Sequence, residues 1–412
     1  MYQFEAETPE YRSGGNQTLI ASIFLLAGLG LVILYSASYG FGVISKGDGF
    51  YYISRQLRPA LAGLLFFFIA SRIKLELLRK IMLPMVIGTF ILCLLPFFPG
   101  IGVTKNGATR WIGIGSLEYQ PSELVKLVLP LYLAHIFDKK QDSIGFFTSG
   151  VLPPVMITLA FFIIIYRQNN LSTAVFIAAN ALFIFFWAGV KLRWFFAVAF
   201  VAFPLTSLMV LTKEHRLRRV ISFIWPDWEP QGAGYQVRSS ILTIMSGGVL
   251  GKGIGQGTRK IASVPEVHSD FIFSAFAEES GFIGVFLLLA LFAFFAWQGY
   301  RAGYRAPTVY RRLLAYGIVT MIVSQALLNM AVVSGLLPAT GVPLPFFSHG
   351  GSSLLTTLIM AGLLVNVSRR GSVPVQAEGL RQYVQEIRRQ PLLRQDIGEE
   401  FRFNAREEAN VR

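Results

Sequence analysis

Long apolar stretches separated by short polar segments dominate the chain between residues 18 and 370. A helix that crosses a membrane needs roughly 20 mostly apolar residues. Because backbone polar groups in lipid must be hydrogen-bonded within their own segment, these stretches are predicted to be helices. The pattern thus predicts an all-α integral membrane protein with about ten transmembrane helices. The predicted spans are 18–40, 57–71, 81–98, 123–137, 147–166, 171–189, 192–211, 271–297, 312–337 and 351–367.

Three longer segments interrupt the alternation of spans and short loops. They are the glycine-rich segment 99–122, the large segment 212–270 between predicted helices seven and eight, and segment 338–350. Loops of such length are usually functional or disordered. Within the second, RLRRVISFIWPDW alternates basic and apolar residues, which is typical of a segment that lies in the membrane interface.

Composition supports lipid as the solvent. The chain is 53% hydrophobic and only 15% charged, whereas soluble domains carry about 25% charged residues. Its one cysteine, Cys93, excludes an intramolecular disulfide and a cysteine-based metal site.

The net charge of +14 reflects basic clusters between the spans, which favours a role in membrane topology over nucleic-acid binding. Lys and Arg concentrate in the short loops after every second span, so these loops and both termini are predicted to be cytoplasmic. The three longer segments are then external. The predicted organisation is a cytoplasmic tail at 1–17, a membrane domain at 18–370 and a second cytoplasmic tail at 371–412.

Acidic residues gather where the eighth predicted span begins. The stretch PEVHSDFIF (265–273) contains His268 and Asp270, and Glu278 and Glu279 follow inside the span. In a helix that begins near Asp270, Glu278 would share its face. Ionisable groups inside a span are functional candidates. Asp270 is therefore either functional or a helix N-cap, and the two glutamates are either functional or paired with a buried cation.

A second polar group, TRWIGIGSLEYQPSELVKL (109–127), leads into the fourth span. Ser122 is predicted to cap the helix, and the spacing of Glu123 and Lys126 allows an ion pair. A lysine one turn into the membrane needs an anion, which is either Glu123 or a ligand phosphate. Arg110 either binds such a ligand or anchors the chain to lipid phosphates.

The third polar group is PATGVPLPFFSHGGSS (338–353), whose three prolines exclude a regular helix. Irregular backbone at membrane depth is tolerated only where it is buried or lines a cavity. Gly350, Gly351 and Ser352 could offer N–H groups to an anion at a helix N-terminus. The alternative is a capped re-entrant turn.

Another glycine-rich stretch, GGVLGKGIGQG (247–257), only superficially suggests a phosphate-binding loop. Lys252 is followed by Gly253, where such a loop needs Ser or Thr. It is predicted to be a flexible turn.

The three polar groups are all predicted on the external side. They offer an acid, at least two cations and a Gly/Ser-rich turn, a combination that suits a lipid-linked diphosphate. In order along the chain, ATRWIGIG…QPSELVKL, RLRR…GAGYQVRSS, SGGVLGKGIGQGTRK, PEVHSDFIFSAFAEESGFIG and LPATGVPLPFFSHGGSS resemble the SEDS family (shape, elongation, division and sporulation). The resemblance covers roughly residues 18–370, and the segment that ends in GLLVNVSRR is more similar to FtsW than to RodA.

The resemblance implies a peptidoglycan glycosyltransferase that polymerises lipid II on the outer face of the bacterial cytoplasmic membrane, for septal wall synthesis. It implies a class B penicillin-binding protein and other divisome proteins as partners, and a divalent cation, Mg²⁺ or Mn²⁺. The essential acid of the family corresponds to Asp270, and its basic residues to Arg110 and Lys126. The full candidate site is the catalytic Asp270, the substrate-binding Arg110, Lys126 and Ser352, and the supporting Gln120, Glu123, His268 and Glu278.

Three alternatives stay open at this point. A RodA-like polymerase would serve cell elongation instead of division. A lipid II transporter would usually show internal repeats and polar groups near the membrane midplane, whereas here no repeat is found and the polar groups gather at one face. A scaffold would recruit a penicillin-binding protein without chemistry of its own.

Overall fold

The computed structural model describes residues 11–12, 16–105, 107–114, 117–225, 233–258 and 268–371. Thirteen helices of six residues or more lie within these ranges. They are α1 (Gln17–Lys46), α2 (Tyr51–Ala70), α3 (Leu75–Lys80), α4 (Met82–Leu94), α5 (Pro121–Lys139), α6 (Leu152–Arg167), α7 (Leu171–Trp187), α8 (Leu192–Leu211), α9 (Glu214–Ile224), α10 (Ala233–Ser246), α11 (Ile272–Tyr304), α12 (Val309–Val333) and α13 (Gly351–Ser368).

A helix occurs at each of the ten predicted spans, which confirms an all-α membrane protein. Within the described residues, seven helices are long and apolar enough to cross a membrane, and α4 and α7 are shorter apolar helices. α12 and α13 are the most enclosed of the seven, and α12 packs against α5, α7 and α11. The number of ten crossings stays a prediction.

Segment 99–122, predicted as a glycine-rich external segment, contains strands that the sequence pattern does not predict. It forms a three-stranded antiparallel sheet of β2 (Gly102–Lys105), β3 (Ala108–Ile114) and β4 (Leu117–Tyr119). The Asn-Gly pair before β3 is a strong hairpin signal, and Gly107 has the positive φ of 72° that such a turn requires. The glycines mark a turn between strands rather than a structureless loop.

The described parts of segment 212–270 are largely helical, which the sequence reading also missed. The basic and apolar residues expected at the membrane interface form α9 as far as Ile224, and the Pro-Asp-Trp that follows lies outside the described residues. α10 then packs against α11 and α12. Segment 338–350 is free of helix and strand, as its prolines predict.

The two ends of the described chain meet in a short antiparallel pair, β1 (Tyr11–Arg12) with β5 (Arg370–Gly371). The pairing places both tails at the same end of the bundle. Apart from these strands, the predicted tails 1–17 and 371–412 lie almost entirely outside the described residues, and their cytoplasmic placement stays a prediction.

Candidate functional site

Asp270 lies in the turn that precedes α11. The helix begins at Ile272 with Phe271 as its cap residue, so Asp270 is not the N-cap of the helix. Its backbone carbonyl accepts a hydrogen bond from Asn329 Nδ2 at 2.7 Å. This amide, on the well-packed helix α12, fixes the backbone position of the turn.

The same face of α12 holds the irregular segment 338–350. Asn329 Nδ2 also donates to the carbonyl of Val342 at 2.9 Å. One turn away, Gln325 Nε2 donates to the carbonyl of Pro343 at 2.8 Å. Both amides are buried, where an unpaired carbonyl would be costly. The amides thus bring the segment beside the turn that carries Asp270.

On its other side, the segment is held by Gln56 of α2. Gln56 Nε2 donates to the carbonyl of Ser348 at 3.3 Å, and Gln56 Oε1 accepts from the N–H of Gly350 at 3.2 Å. Gly350 is the cap residue of α13, so one of the N–H groups expected to face an anion is already bonded within the protein.

Lys126 lies inside the bundle. Its ammonium is 2.7 Å from Glu123 and donates to Gln325 Oε1 at 3.0 Å. Only 2% of Lys126 is exposed. The anion required by this lysine is therefore Glu123, and the pair supports the amide of Gln325. A direct contact between Lys126 and a substrate stays a prediction.

Gln120 and Ser352 connect the three-stranded sheet to α13. The N–H of Gln120 donates to Ser352 Oγ at 3.1 Å. Gln120, not the predicted Ser122, is the cap residue of α5, because Pro121 occupies the first helical position.

Arg110 of β3 lies near Asp270, as the candidate site requires, together with Arg219 of α9. Burial lowers the pKa of Arg110 and so does the charge of Arg219, whereas the charge of Asp270 raises it. Burial also lowers the pKa of Arg219, and Asp270 raises it. Arg219 Nη1 donates to the carbonyl of Ala339 at 3.4 Å, and a Cβ at Gly341 would lie 3.4 Å from Asp270 Oδ2. Residues 339–341 therefore lie beside both the Arg219 guanidinium and the Asp270 carboxylate.

The sequence reading did not select Arg219. The available signal was the run RLRR, which was interpreted only as a membrane-interface segment. In α9 the neighbouring Arg218 pairs with Glu214 at 2.5 Å, whereas Arg219 donates to the carbonyl of Ala339. Helical periodicity separates the two side chains by about 100°.

A cavity of about 470 Å³ adjoins these arginines, and we call it the arginine cavity. Arg216, also in its wall, is buried, donates to the carbonyl of Met209 at 3.0 Å and lies over the Tyr166 ring. None of the described lining residues is acidic. They are Gly107, Ala108, Arg110, Asn169, Asn170, Leu171, Ser172, Val210, His215, Arg216, Arg219, Val220, Pro338, Ala339 and Thr340.

His268 and His349 form an aromatic cluster with Tyr52. The N–H of His349 donates to the carbonyl of His268 at 2.8 Å, and the ring centroids of His268 and Tyr52 are 4.2 Å apart. Burial, followed by the charge of His349, lowers the pKa of His268 to about 4. Burial, with the charges of Arg55 and Lys105, lowers the pKa of His349 to about 4. Both imidazoles are therefore neutral near pH 7.

Glu278 is completely buried. Its carboxylate is 2.6 Å from Lys252 Nζ and accepts a hydrogen bond from Ser246 at 3.3 Å. The pairing alternative for Glu278 is thus confirmed, while Glu279 accepts a hydrogen bond from Ser36. Lys252 was missed because its glycine-rich stretch was set aside.

That glycine-rich stretch is hydrogen-bonded to α11 at a point where the helix is broken. At Gly281 the backbone leaves the helix, with φ 64° and ψ −167°. The N–H groups of Lys252 and Gly253 donate to the carbonyls of Glu278 and Glu279, both at 3.0 Å. The turn therefore supplies hydrogen bonds that the broken helix lacks. The flexibility expected of this turn stays a prediction, and the helical face that carries Glu278 ends at Gly281.

The described residues do not form a protein-only metal site. No group of three or more His, Cys, Asp or Glu side chains among them could hold a metal ion. The divalent cation implied by the resemblance stays a prediction.

Comparison with known proteins identifies the family. A family model described as cell cycle protein, which groups FtsW, RodA and SpoVE, matches residues 16–372. The chain belongs to the FtsW/RodA/SpoVE family. The resemblance seen in the sequence is thereby confirmed.

Curated members of the FtsW/RodA/SpoVE family resemble the chain over most of its length. A Geobacter sulfurreducens protein named probable peptidoglycan glycosyltransferase FtsW is 39% identical over 341 residues, which cover 83% of this chain and 91% of the relative. Stage V sporulation protein E of Bacillus subtilis is 36% identical over 351 residues, covering 85% and 96%. Several of these relatives are named FtsW.

Solved structures of the family share the fold. One chain belongs to a peptidoglycan synthase complex described as coordinating polymerization and crosslinking. It matches with a TM-score of 0.71 and 26% identity, over 86% of this chain and 98% of that one. The rod shape determining protein RodA of Thermus thermophilus matches with a TM-score of 0.63 and 26% identity, over 86% and 97%.

Proposed function

We propose that the chain is a peptidoglycan glycosyltransferase of the FtsW type. It polymerises lipid II into glycan strands on the outer face of the cytoplasmic membrane and serves septal wall synthesis. The observation that carries the site assignment is the position of Asp270 in a fixed turn near Arg110 and Arg219, two arginines that line the arginine cavity. The names of the curated relatives support the reaction.

In the proposed reaction, Asp270 is the general base. It removes the proton from the 4-hydroxyl of the acceptor's N-acetylglucosamine while that oxygen attacks C1 of the donor's N-acetylmuramic acid. The bond from C1 to the diphosphate oxygen breaks, undecaprenyl diphosphate leaves, and the anomeric centre inverts. A positioned base contributes about 10²–10⁴-fold to the rate.

Arg110 and Arg219 supply the positive charge that the leaving diphosphate requires. Removing one preorganised donor of this kind typically costs about 3–4 kcal/mol of transition-state stabilisation. The role assigned from the sequence to Lys126 is then indirect: with Glu123 it holds Gln325, which positions the segment beside Asp270.

A class B penicillin-binding protein is the proposed partner. The solved relative in a peptidoglycan synthase complex supports a partner that crosslinks the new strand. Other divisome proteins belong to the same proposal.

The test is lipid II polymerisation by the purified protein with a class B penicillin-binding protein. Asp270→Asn keeps the size of the side chain and removes the base, so glycan synthesis should fall by about 10²-fold or more. Glu118→Gln is the matched control, because Glu118 is an exposed carboxylate of the external sheet that pairs with Lys105. Its activity should stay within about twofold of wild type.

Other outcomes identify other functions. Wild-type activity in Asp270→Asn would move the base elsewhere. Absence of glycan from the wild-type complex, with lipid II crossing reconstituted vesicles, would favour a transporter. Absence of both, with the partner still bound, would favour a scaffold.

A further inference from the structure

The arginine cavity is also the place where α7 begins. Leu171 and Ser172, the first residues of the helix, line it. The first N–H groups of a helix lack intrahelical partners and carry positive partial charge. The cap residue Asn170 makes no capping hydrogen bond with its side chain. The helix therefore presents its positive end to the cavity.

Three lining residues carry buried polar atoms for which the described residues provide no hydrogen-bond partner. They are Arg110 Nε, Asn170 Nδ2 and Thr340 Oγ1. Asn170 is only 4% exposed. Leaving a buried donor unpaired costs about 1–3 kcal/mol, and such groups in a native structure call for an explanation. Two of the three atoms are N–H donors, so a bound group with acceptor oxygens would satisfy them.

We propose that the arginine cavity binds the diphosphate of the lipid-linked donor, with Arg219 and Asn170 as binding residues at the N-terminus of α7. This inference rests on the proposed function. The described lining combines arginines, unpaired N–H donors and a helix N-terminus, and it contains no carboxylate. Phosphoryl oxygens accept hydrogen bonds from all of these groups.

The position of the arginine cavity near Asp270 suits the proposed glycosyl transfer. Arg110 and Arg219 line the cavity, and both are close enough to Asp270 for its charge to raise their pKa. A diphosphate in the cavity would therefore be joined to a sugar carbon on the side that faces Asp270. The planar arginine fork matches two phosphate oxygens at once, a fixed geometry that the ammonium group of a lysine lacks.

The test measures binding of undecaprenyl diphosphate to the full chain in phosphatidylcholine nanodiscs. Undecaprenol, which lacks the phosphates, is the parallel probe. Arg219→Gln and Asn170→Leu should each weaken binding of the diphosphate by about tenfold to a hundredfold, as expected for lost hydrogen bonds to a charged group. Binding of undecaprenol should stay within about twofold.

Arg218→Gln is the matched control for Arg219→Gln. It removes the same charge from the adjacent residue of α9, but Arg218 faces outward and pairs with Glu214. Its affinity for the diphosphate should stay within about twofold of wild type. Arg219→Lys, which keeps the charge, should recover part of the affinity that Arg219→Gln loses.

Three results would overturn the assignment. The first is unchanged diphosphate binding in both cavity variants, and the second is an equal loss for undecaprenol. The third is displacement of the diphosphate by an equimolar amount of phosphatidylglycerol, which would identify a site for ordinary lipid headgroups. Specific diphosphate binding by a wild-type protein that makes no glycan would support this cavity assignment and contradict the proposed function.

Discussion

Asp270 illustrates how a single side chain is positioned without belonging to a regular element. Its backbone carbonyl is fixed by Asn329, its carboxylate borders the turn at Gly341, and two arginines lie near its charge. Every one of these groups comes from a different part of the chain. The family motif predicts the acid, but only the fold brings Arg219 to it.

At the residue scale, acid should destabilise the protein through His268 and His349. Their folded-state pKa of about 4 lies below the ordinary value of 6.5, so the unfolded chain binds more protons between these values. Stability is therefore fully present above pH 6.5 and is lost as the pH falls toward 4, by at most roughly 3 kcal/mol per histidine. The midpoint of thermal unfolding in detergent, measured from pH 7.5 to 4.5, checks this.

His349→Gln removes one of the two titrating groups and should flatten the decline in the unfolding midpoint. His215→Gln is the control, since His215 is exposed, and it should leave most of the decline in place. Equal slopes for wild type and His349→Gln would show that other groups cause the acid sensitivity.

Among the site residues, local spacing predicted pairs that are close in sequence and missed those that are distant. Glu123 and Lys126 are one helical turn apart, and their ion pair follows from that spacing. Lys252 and Glu278 are 26 residues apart, and no periodicity connects them. The sequence shows that a buried acid needs a cation, but it does not show which cation.

At the element scale, the break in α11 depends on two glycines that touch. Gly281 has a backbone conformation that is essentially restricted to glycine, and a Cβ there would collide with the backbone N of Gly251. The ion pair between the buried Glu278 and the half-buried Lys252 closes the same junction. The glycine-rich turn and α11 are thus packed together at this junction.

Gly281→Ala should therefore destabilise the protein by about 1–3 kcal/mol from backbone strain alone, and more from the collision with Gly251. Gly88→Ala is the control, because Gly88 lies within α4 and a Cβ there would meet nothing within 4 Å. That change should be neutral or stabilising by about 0.5–1 kcal/mol. Thermal unfolding of both variants in detergent is the measurement, and equal midpoints would contradict the role assigned to the junction.

The elements that the sequence reading missed lie outside the spans. The glycine-rich composition of segment 99–122 does not by itself indicate strands, although Gly107 provides the turn of a β-hairpin. α10 has 14 residues, too few for a membrane span, so the pattern of spans does not predict it. Hydropathy identifies helices that face lipid, but it does not predict short helices and strands that pack against those helices.

At the scale of the whole molecule, the spans follow from the sequence because lipid leaves the backbone few alternatives. The sequence does not show which helices pack against each other. α2 and α13 are far apart in sequence yet packed together, with Gly63 against Leu358 and Gly362 against the backbone of Phe67. Small residues allow such close approach in membranes, but they do not specify a partner.

The predicted topology places Glu118 outside the cell and Asp142 in the cytoplasm. A Cys93→Ala background removes the only native thiol, and both test positions are exposed. A membrane-impermeant maleimide added to intact spheroplasts should label Glu118→Cys and leave Asp142→Cys unlabelled. After lysis both should react. Labelling of Asp142→Cys before lysis would reverse the predicted orientation.

The amides of Gln56, Gln325 and Asn329 hold segment 338–350 through its main-chain groups. Such bonds do not depend on which side chains the segment carries. Evolution can therefore exchange residues there without releasing the segment from its neighbours. Substitutions within the segment would then change the side chains that it presents without changing its position. Loss of one of the three amides would be selected against, even where the sequence of the segment itself is unchanged.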